Sequence, residues 1–330
     1  MRHLPCLMLF AALSMAMAIT PIIVLAQGAA DNWPSKPVQV VAPFGAGGST
    51  EVEGRLYTQR LTELTGQPFL LDFRPGAGST IGIAYVAKAA PDGYTIMINT
   101  AALTITPAIY TNLPYDPVRD IAPVTLISKR PSVLVVHPSL PVRTPGEYLA
   151  YAKARPGELN YGTTGVGGSP HMAGAWLHSL TGTRVTFVHY KGTGTLMPDL
   201  LAGRTHATTN TFVSVLPHIR SGKLRIIGVT TAQRSQLMPE LPAIAEQGAA
   251  GYDYSSWLGV VATGGTPAPI IARLRAELVK VAASPDIIRK LADEGVTLVA
   301  NTPEEFRQFM ATEMVRWRKL VQETGMKTED

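Results

Sequence analysis

The stretch "PFGAGGST", Pro43 to Thr50, follows the apolar, β-prone run "VQVVA" and leads into a helix-like pattern. A near copy, "RPGAGST" at Arg74 to Thr80, follows "FLLDF", and "GTTGVGGSP", Gly162 to Pro170, comes later in the same setting. Glycine lets a backbone approach a ligand closely and adopt positive φ. A helix that begins there turns unpaired N–H groups and a partial positive charge toward the same point. In an open parallel sheet, ligands bind beyond the carboxyl ends of the strands, where all three loops fall. Three such turns predict an anion site built from backbone, with no arginine required.

Outward from these loops, Val38–Ala42, Phe69–Phe73 and Tyr94–Ile98 read as strands, short and apolar, bounded by Pro and Gly. Helical patterns at about Thr50–Leu64 and Thr80–Ala89 separate them, which predicts parallel strands joined by right-handed crossovers. Thr50 and Glu53 have capping-box spacing, Ser79 is placed to cap the second helix, and Ser169-Pro170 the third. A second α/β unit begins near Ser132: "SVLVVHP", "LNYGTT", "VTFVHY", "THATTNTF" and "KLRIIGVT" read as strands with helices among them. The chain then crosses "SSWLGVVATGGTP", and late helices return to the first unit. Thr302 and Glu305 form a capping box for the last one, whose Phe306, Phe309, Met310, Met314, Trp317, Leu320 and Val321 make one apolar stripe. The expected crossings lie near Leu126–Ser132 and Ser255–Ala262. No long linker separates the units, which favours two lobes around a cleft.

The amino terminus reads as a secretory signal. A short basic start precedes an almost wholly apolar Leu7–Leu25, with small residues ahead of a cut near Ala26. The remaining length, roughly 300 residues, exceeds one small core. The single cysteine, Cys6, lies in the segment removed, so the mature chain has no disulfide or thiol chemistry. This predicts a soluble periplasmic protein. The net charge of +5 is scattered, without the basic block or interleaved aromatics of a nucleic-acid surface.

Several chemistries are excluded. None of the loops is G-x-x-x-x-G-K-[ST], and "GAGSTIG" from Gly76 to Gly82 is one residue off the dinucleotide fingerprint. No G-x-S-x-G elbow occurs. His171 and His178 stand two turns apart on one helix face, too far to chelate one metal, and the other histidines form no metal spacing. The reading is a chain without catalytic residues, metal or cofactor.

The segments "WPSKPVQVVAPFGAGGSTEVEGR", "RPGAGSTIG", "APDGYT", "PYDP", "YKG", "GKLR" and "SSWLGVVATGGTPAPI" occur in that order from Trp33 to the carboxyl terminus. In this order they resemble the solute-binding receptors of tripartite tricarboxylate transporters, the Bug family. The resemblance implies an α/β, two-lobed periplasmic binding protein of type II-like form, each lobe a mainly parallel sheet flanked by helices. Residues 1–26 would be the signal peptide, 27–130 with 258–330 lobe 1, and 131–257 lobe 2. It implies a monomer that closes around a small organic carboxylate and delivers it to integral membrane permease subunits. An orphan receptor signalling to a sensor kinase, and an exported small-ester hydrolase, are the alternatives.

By position, Phe44, Gly47, Gly48, Ser49 and Thr50 match the first carboxylate loop of that family. Gly78, Ser79 and Thr80 match the second, and Thr163, Thr164, Gly167 and Ser169 the loop of the other lobe. His171 packs at the helix start or touches ligand. Departures from the family pattern include Glu51, Gly168, Ala175, His206 and Asn210. Asn210 stands where family members often carry Asp, which could pair with an ammonium group. Asn can hydrogen-bond but not ion-pair, so the expected ligand is a dicarboxylate, hydroxy acid or aromatic acid rather than an amino acid.

Overall fold

The computed structural model describes residues 32–44, 49–235, 238–292 and 295–325. The expected signal peptide and Gly45, Gly47 and Gly48 of the first loop lie outside them. Three parallel strands open the fold: β1 (Val38–Ala42), β2 (Phe69–Phe73) and β3 (Thr95–Asn99), with β1 between the other two. Helix α1 (Ser49–Thr65) joins the first pair and α2 (Thr80–Ala87) the second, the crossover pattern expected of parallel strands. After β3 comes α3 (Ala102–Ile109), which the sequence reading did not anticipate. Its segment has no glycine, and Pro107 inside it reads as a breaker.

Strand β4 (Ile121–Val136) is sixteen residues long, not the short strand expected from Ser132. Pro123 and Pro131 hide its first half, since proline normally stays out of central strands. A register shift between Pro123 and Thr125 marks a local irregularity at which the first of these prolines sits. The second unit adds α4 (Pro145–Ala154), β5 (Asn160–Thr163), α5 (Ser169–Thr181), β6 (Thr186–His189), α6 (Thr193–Leu201) and β7 (Ala207–Thr211). Helix α7 (Phe212–Arg220), also unanticipated, and β8 (Arg225–Val229) complete it. The chain returns through β9 (Ser255–Thr263) to α8 (Ala268–Ala282), α9 (Pro285–Ala292), β10 (Thr297–Leu298) and α10 (Pro303–Thr324).

The sheet runs β2-β1-β3-β9-β4-β7-β5-β6, with β8 and β10 also on β4. Within the halves, β2-β1-β3 and β7-β5-β6 are parallel, and the whole sheet is mixed because β9 and β4 cross between the halves antiparallel to their neighbours. Residues 121–131 of β4 pair with β9, Ser132–Val136 pair with β7, and Val133–Val136 pair with β8. This geometry fixes where the loops face. Strand β4 runs in the sense of β1–β3 as it leaves the first half. Strands β5–β7 then run against it, so their carboxyl ends point back toward the crossing. Thr211, at the end of β7, is opposite Ser132, where the second half begins.

Three buried apolar clusters hold these parts. One lies under the first half, where Val38, Tyr57, Leu274 and Leu278 meet; another, with Val133, Leu196 and Leu200, lies in the second. The third spans both, joining Ile105 and Ile109 of α3 to Met172 and Leu177 of α5 and to Phe306, Met310, Trp317 and Leu320 of α10. Phe309, Met314 and Val321 flank it, so the apolar stripe of the last helix faces core. Burying each large side chain there contributes about 1.5–3 kcal/mol. The predicted capping box is present, with Thr302 and Glu305 satisfying each other's backbone N–H. Gly259 lets Phe306 approach β9, since a Cβ there would lie 2.4 Å from the ring.

Candidate functional site

The first and second glycine loops start side by side. Ala42 pairs with Phe73, and the Arg74 N–H donates to the Ala42 carbonyl at 2.9 Å. Gly82 brings α2 against the entrance of the first loop, because a Cβ there would sit 2.7 Å from Pro43 Cβ and 3.0 Å from the Arg74 carbonyl oxygen. Phe44 is half-buried beside this contact. Helix α1 begins at Ser49, which places buried Thr50 inside the helix. Glu53 is therefore not half of a capping box. It is buried, accepts from Ser128 Oγ at 2.7 Å and pairs with Arg130 of β4. A helix end expected to cap itself instead ties the first-loop helix to the crossing strand.

In the second loop Gly76, Gly78 and the non-glycine Ala77 and Ser79 all take positive φ. Ser79 stands at the N-cap of α2 at φ 82°, but its side chain makes no cap bond. The hydroxyl is buried without a hydrogen-bond partner. Thr80, also buried, opens the helix. Arg74 stacks on Tyr85 of α2 at 3.6 Å and pairs with Asp72 at 2.6 Å, bracketing the loop at both ends.

The third loop is held from several sides. Thr163 Oγ1 lies 2.6 Å from His189 Nδ1, and Thr208 Oγ1 donates to the Gly162 carbonyl at 2.8 Å. Gly165 and Gly167 supply the left-handed turns. Gly168, not Ser169, is the N-cap of α5; it sits against Thr164, whose Oγ1 would be 2.8 Å from a Cβ there. Ser169 Oγ instead meets the hydroxyl of buried Tyr254 at 2.6 Å. The Gly167 N–H donates to His171 Nδ1 at 3.1 Å. His171 is itself buried, with edge-to-face contacts to Phe187 and His189. Burial, and the nearby His189 ring, push its pKa down to about 4, so the ring is a neutral acceptor at pH 7.

Asn210, near the end of β7, accepts at Oδ1 from the Thr211 N–H (2.9 Å) and from Ser214 Oγ (2.8 Å). Its Nδ2 is buried with no partner. Ser79 Oγ, with Thr80 Oγ1 beside it, and Asn210 Nδ2 are thus unanswered polar atoms after strands of the two halves. Buried polar groups are normally satisfied, so donors left open beside the glycine loops are available to a bound group.

Helix α3 joins what the sequence left apart. A Cβ on Gly78 would meet the Tyr110 hydroxyl at 2.8 Å, just past the end of α3. One on Gly167 would meet Ile109 at 3.0 Å and Ile105 at 3.4 Å. The second and third loops therefore flank one helix. Its signal in the sequence was positional: a third parallel strand ending in Asn99 must also be followed by a turn at the same edge. Among the described residues, no group of three His, Cys, Asp or Glu could hold a metal ion, and no helix is long and apolar enough to cross a membrane.

Two α/β halves joined by crossing strands, with glycine loops from both lying against α3, form the two-lobed architecture of solute-binding proteins. The family model described as tripartite tricarboxylate transporter family receptor matches residues 54–326, and the chain belongs to that family of solute-binding receptors. Protein BugT of Bordetella pertussis is 35% identical over 90% of this chain and 92% of its own. The structure of R. palustris Rpa4515 with adipate superposes with a TM-score of 0.83 at 35% identity, covering 90% of this chain and all of that one. MatC from Rhodopseudomonas palustris with bound malate gives 0.80 at 29% identity, over 88% and 100% of the two chains.

Proposed function

We propose that this receptor captures a small organic carboxylate lacking an α-ammonium group, in the periplasm, and hands it to a membrane permease of the tripartite tricarboxylate type. The observation that carries this reading is the pair of buried, unanswered groups, Ser79 Oγ and Asn210 Nδ2, on opposite halves. Both can donate to carboxylate oxygens, and neither can pair with an ammonium group as a carboxylate would. Phe44, Gly47, Gly48, Ser49, Thr50, Gly78 and Thr80 complete the contacts on one side. Thr163, Thr164, Gly167 and Ser169 line the other side, where Thr163, Gly167 and Ser169 hold the loop through partners within the protein and His171 stands behind it. The lobes are 27–130 with 258–330, and 131–257. Ligand bound by both favours the closed arrangement, to the extent of its extra affinity for that state. The monomer does no chemistry on its ligand. Adipate and malate on related receptors support the ligand class.

Thermal unfolding of the mature protein against dicarboxylates, hydroxy acids, aromatic acids and amino acids tests this. A ligand at a hundred times its dissociation constant adds about 2.7 kcal/mol of stability, visible as a raised midpoint. Asn210→Asp should lower affinity for that carboxylate by about tenfold or more, since a buried anion then faces an anion. A midpoint raised by amino acids alone would overturn the ligand class.

A further inference from the structure

His171 has a role that its place beside the third loop does not by itself reveal. Its Nδ1 accepts the Gly167 N–H, so that ring atom is engaged by the protein's own backbone. Gly167, at φ 74°, has its Cα against Ile105 and Ile109 of α3, which belongs to the other half of the sheet. Val166, the preceding residue, packs on the apolar cluster that spans the halves. The ring is walled by Phe187 and His189 of β6, and His189 in turn reaches Thr163 at the start of the loop. One side chain thus sets the direction of a loop amide whose other face makes the contact between halves.

We propose that His171 is a positioning residue: its neutral Nδ1 holds Gly167 so that the third loop seats on Ile105 and Ile109, and it does not touch the ligand. This deepens the receptor reading and rests on it for the consequence in binding, but the positioning itself is independent of any ligand. Loss of the acceptor frees the Gly167 amide and lets the loop leave α3. An Asn at this position can return an acceptor oxygen, whereas Leu fills the space without one.

The test compares wild type, His171→Asn and His171→Leu. In ligand-free protein, hydrogen exchange of the Gly167 amide should be about tenfold faster in His171→Leu and close to wild type in His171→Asn. Amides of β1 and β3 report global stability and control for unfolding. Nitrogen NMR of the wild-type ring should find Nδ1 unprotonated. Equal Gly167 exchange in wild type and His171→Leu, or a protonated Nδ1, would overturn the proposal. Titration with adipate and with malate forms the second arm. Recovery of binding in His171→Asn but not His171→Leu supports positioning; equal loss in both variants means the ring contacts ligand directly and overturns it. If wild type binds neither acid, the binding arm is run with the carboxylate that raises the thermal midpoint, and the exchange result decides the role of His171 by itself.

Discussion

In the loop after β2, Ser79 enters the left-handed region at φ 82° and buries a hydroxyl with no partner. In the loop after β5, glycines take the left-handed turns, and Thr163, Ser169 and His171 all have partners. Both loops follow a parallel strand and open a helix, and both lie against α3. They differ in what they leave undone. An unsatisfied buried hydroxyl costs about 1–3 kcal/mol, and strained backbone adds to it. Such a cost persists where a bound group offsets it. The loop of the second half is instead a self-satisfied scaffold, and an unanswered donor of that half sits one strand away, on Asn210.

The largest expected effect comes from the link between the first loop's helix and the crossing strand. Glu53→Ala takes the carboxylate from buried Arg130 and should cost about 3–5 kcal/mol in urea unfolding. A loss below about 1 kcal/mol would show that the first half does not depend on this tie. Acidification should next strain the second half. His171 and His178 are buried, and burial lowers their pKa values to about 4 and about 3. The unfolded chain, near the ordinary value of 6.5, binds more protons than the folded one below that pH. Stability therefore falls as pH drops from about 6.5 toward these values, by about 2 kcal/mol for each ring at pH 5. Urea midpoints between pH 7 and pH 5 measure this, and His171→Asn should roughly halve the slope.

A matched pair of substitutions then addresses the two loops directly. Ser169→Ala leaves the Tyr254 hydroxyl buried without its partner and should destabilise by about 1–3 kcal/mol. Ser79→Ala removes a hydroxyl that has none, so the ligand-free fold should change by about 0.5 kcal/mol or less. Its effect belongs in binding, with about tenfold weaker affinity for the carboxylate found by thermal unfolding. If Ser79→Ala destabilises as much as Ser169→Ala, the contrast between the loops collapses.

Much of this was legible locally. The apolar runs of β1 and β2, the helix after each, the capping box at Thr302 and the stripe on α10 follow from spacing, since each reports on near neighbours in the chain. The misreadings share one cause. Glu53 has capping-box spacing but faces Arg130, seventy-seven positions away in sequence. Ser169 has N-cap character but is claimed by Tyr254. Pro123 and Pro131 obscure half of β4, and Pro107 obscures α3, because local propensity yields to long-range packing.

The sequence by itself determined the α/β alternation, the glycine turns after β2 and β5 and, through ordered motifs, the family. These depend on periodicity and on backbone freedoms written residue by residue. The tertiary structure alone decided that the crossing strands run antiparallel, that α3 lies against two of the loops, and which polar atoms remain unanswered. A hydrogen bond is satisfied or orphaned by whatever the folded chain brings within about 3 Å, and no spacing along the chain encodes that distance.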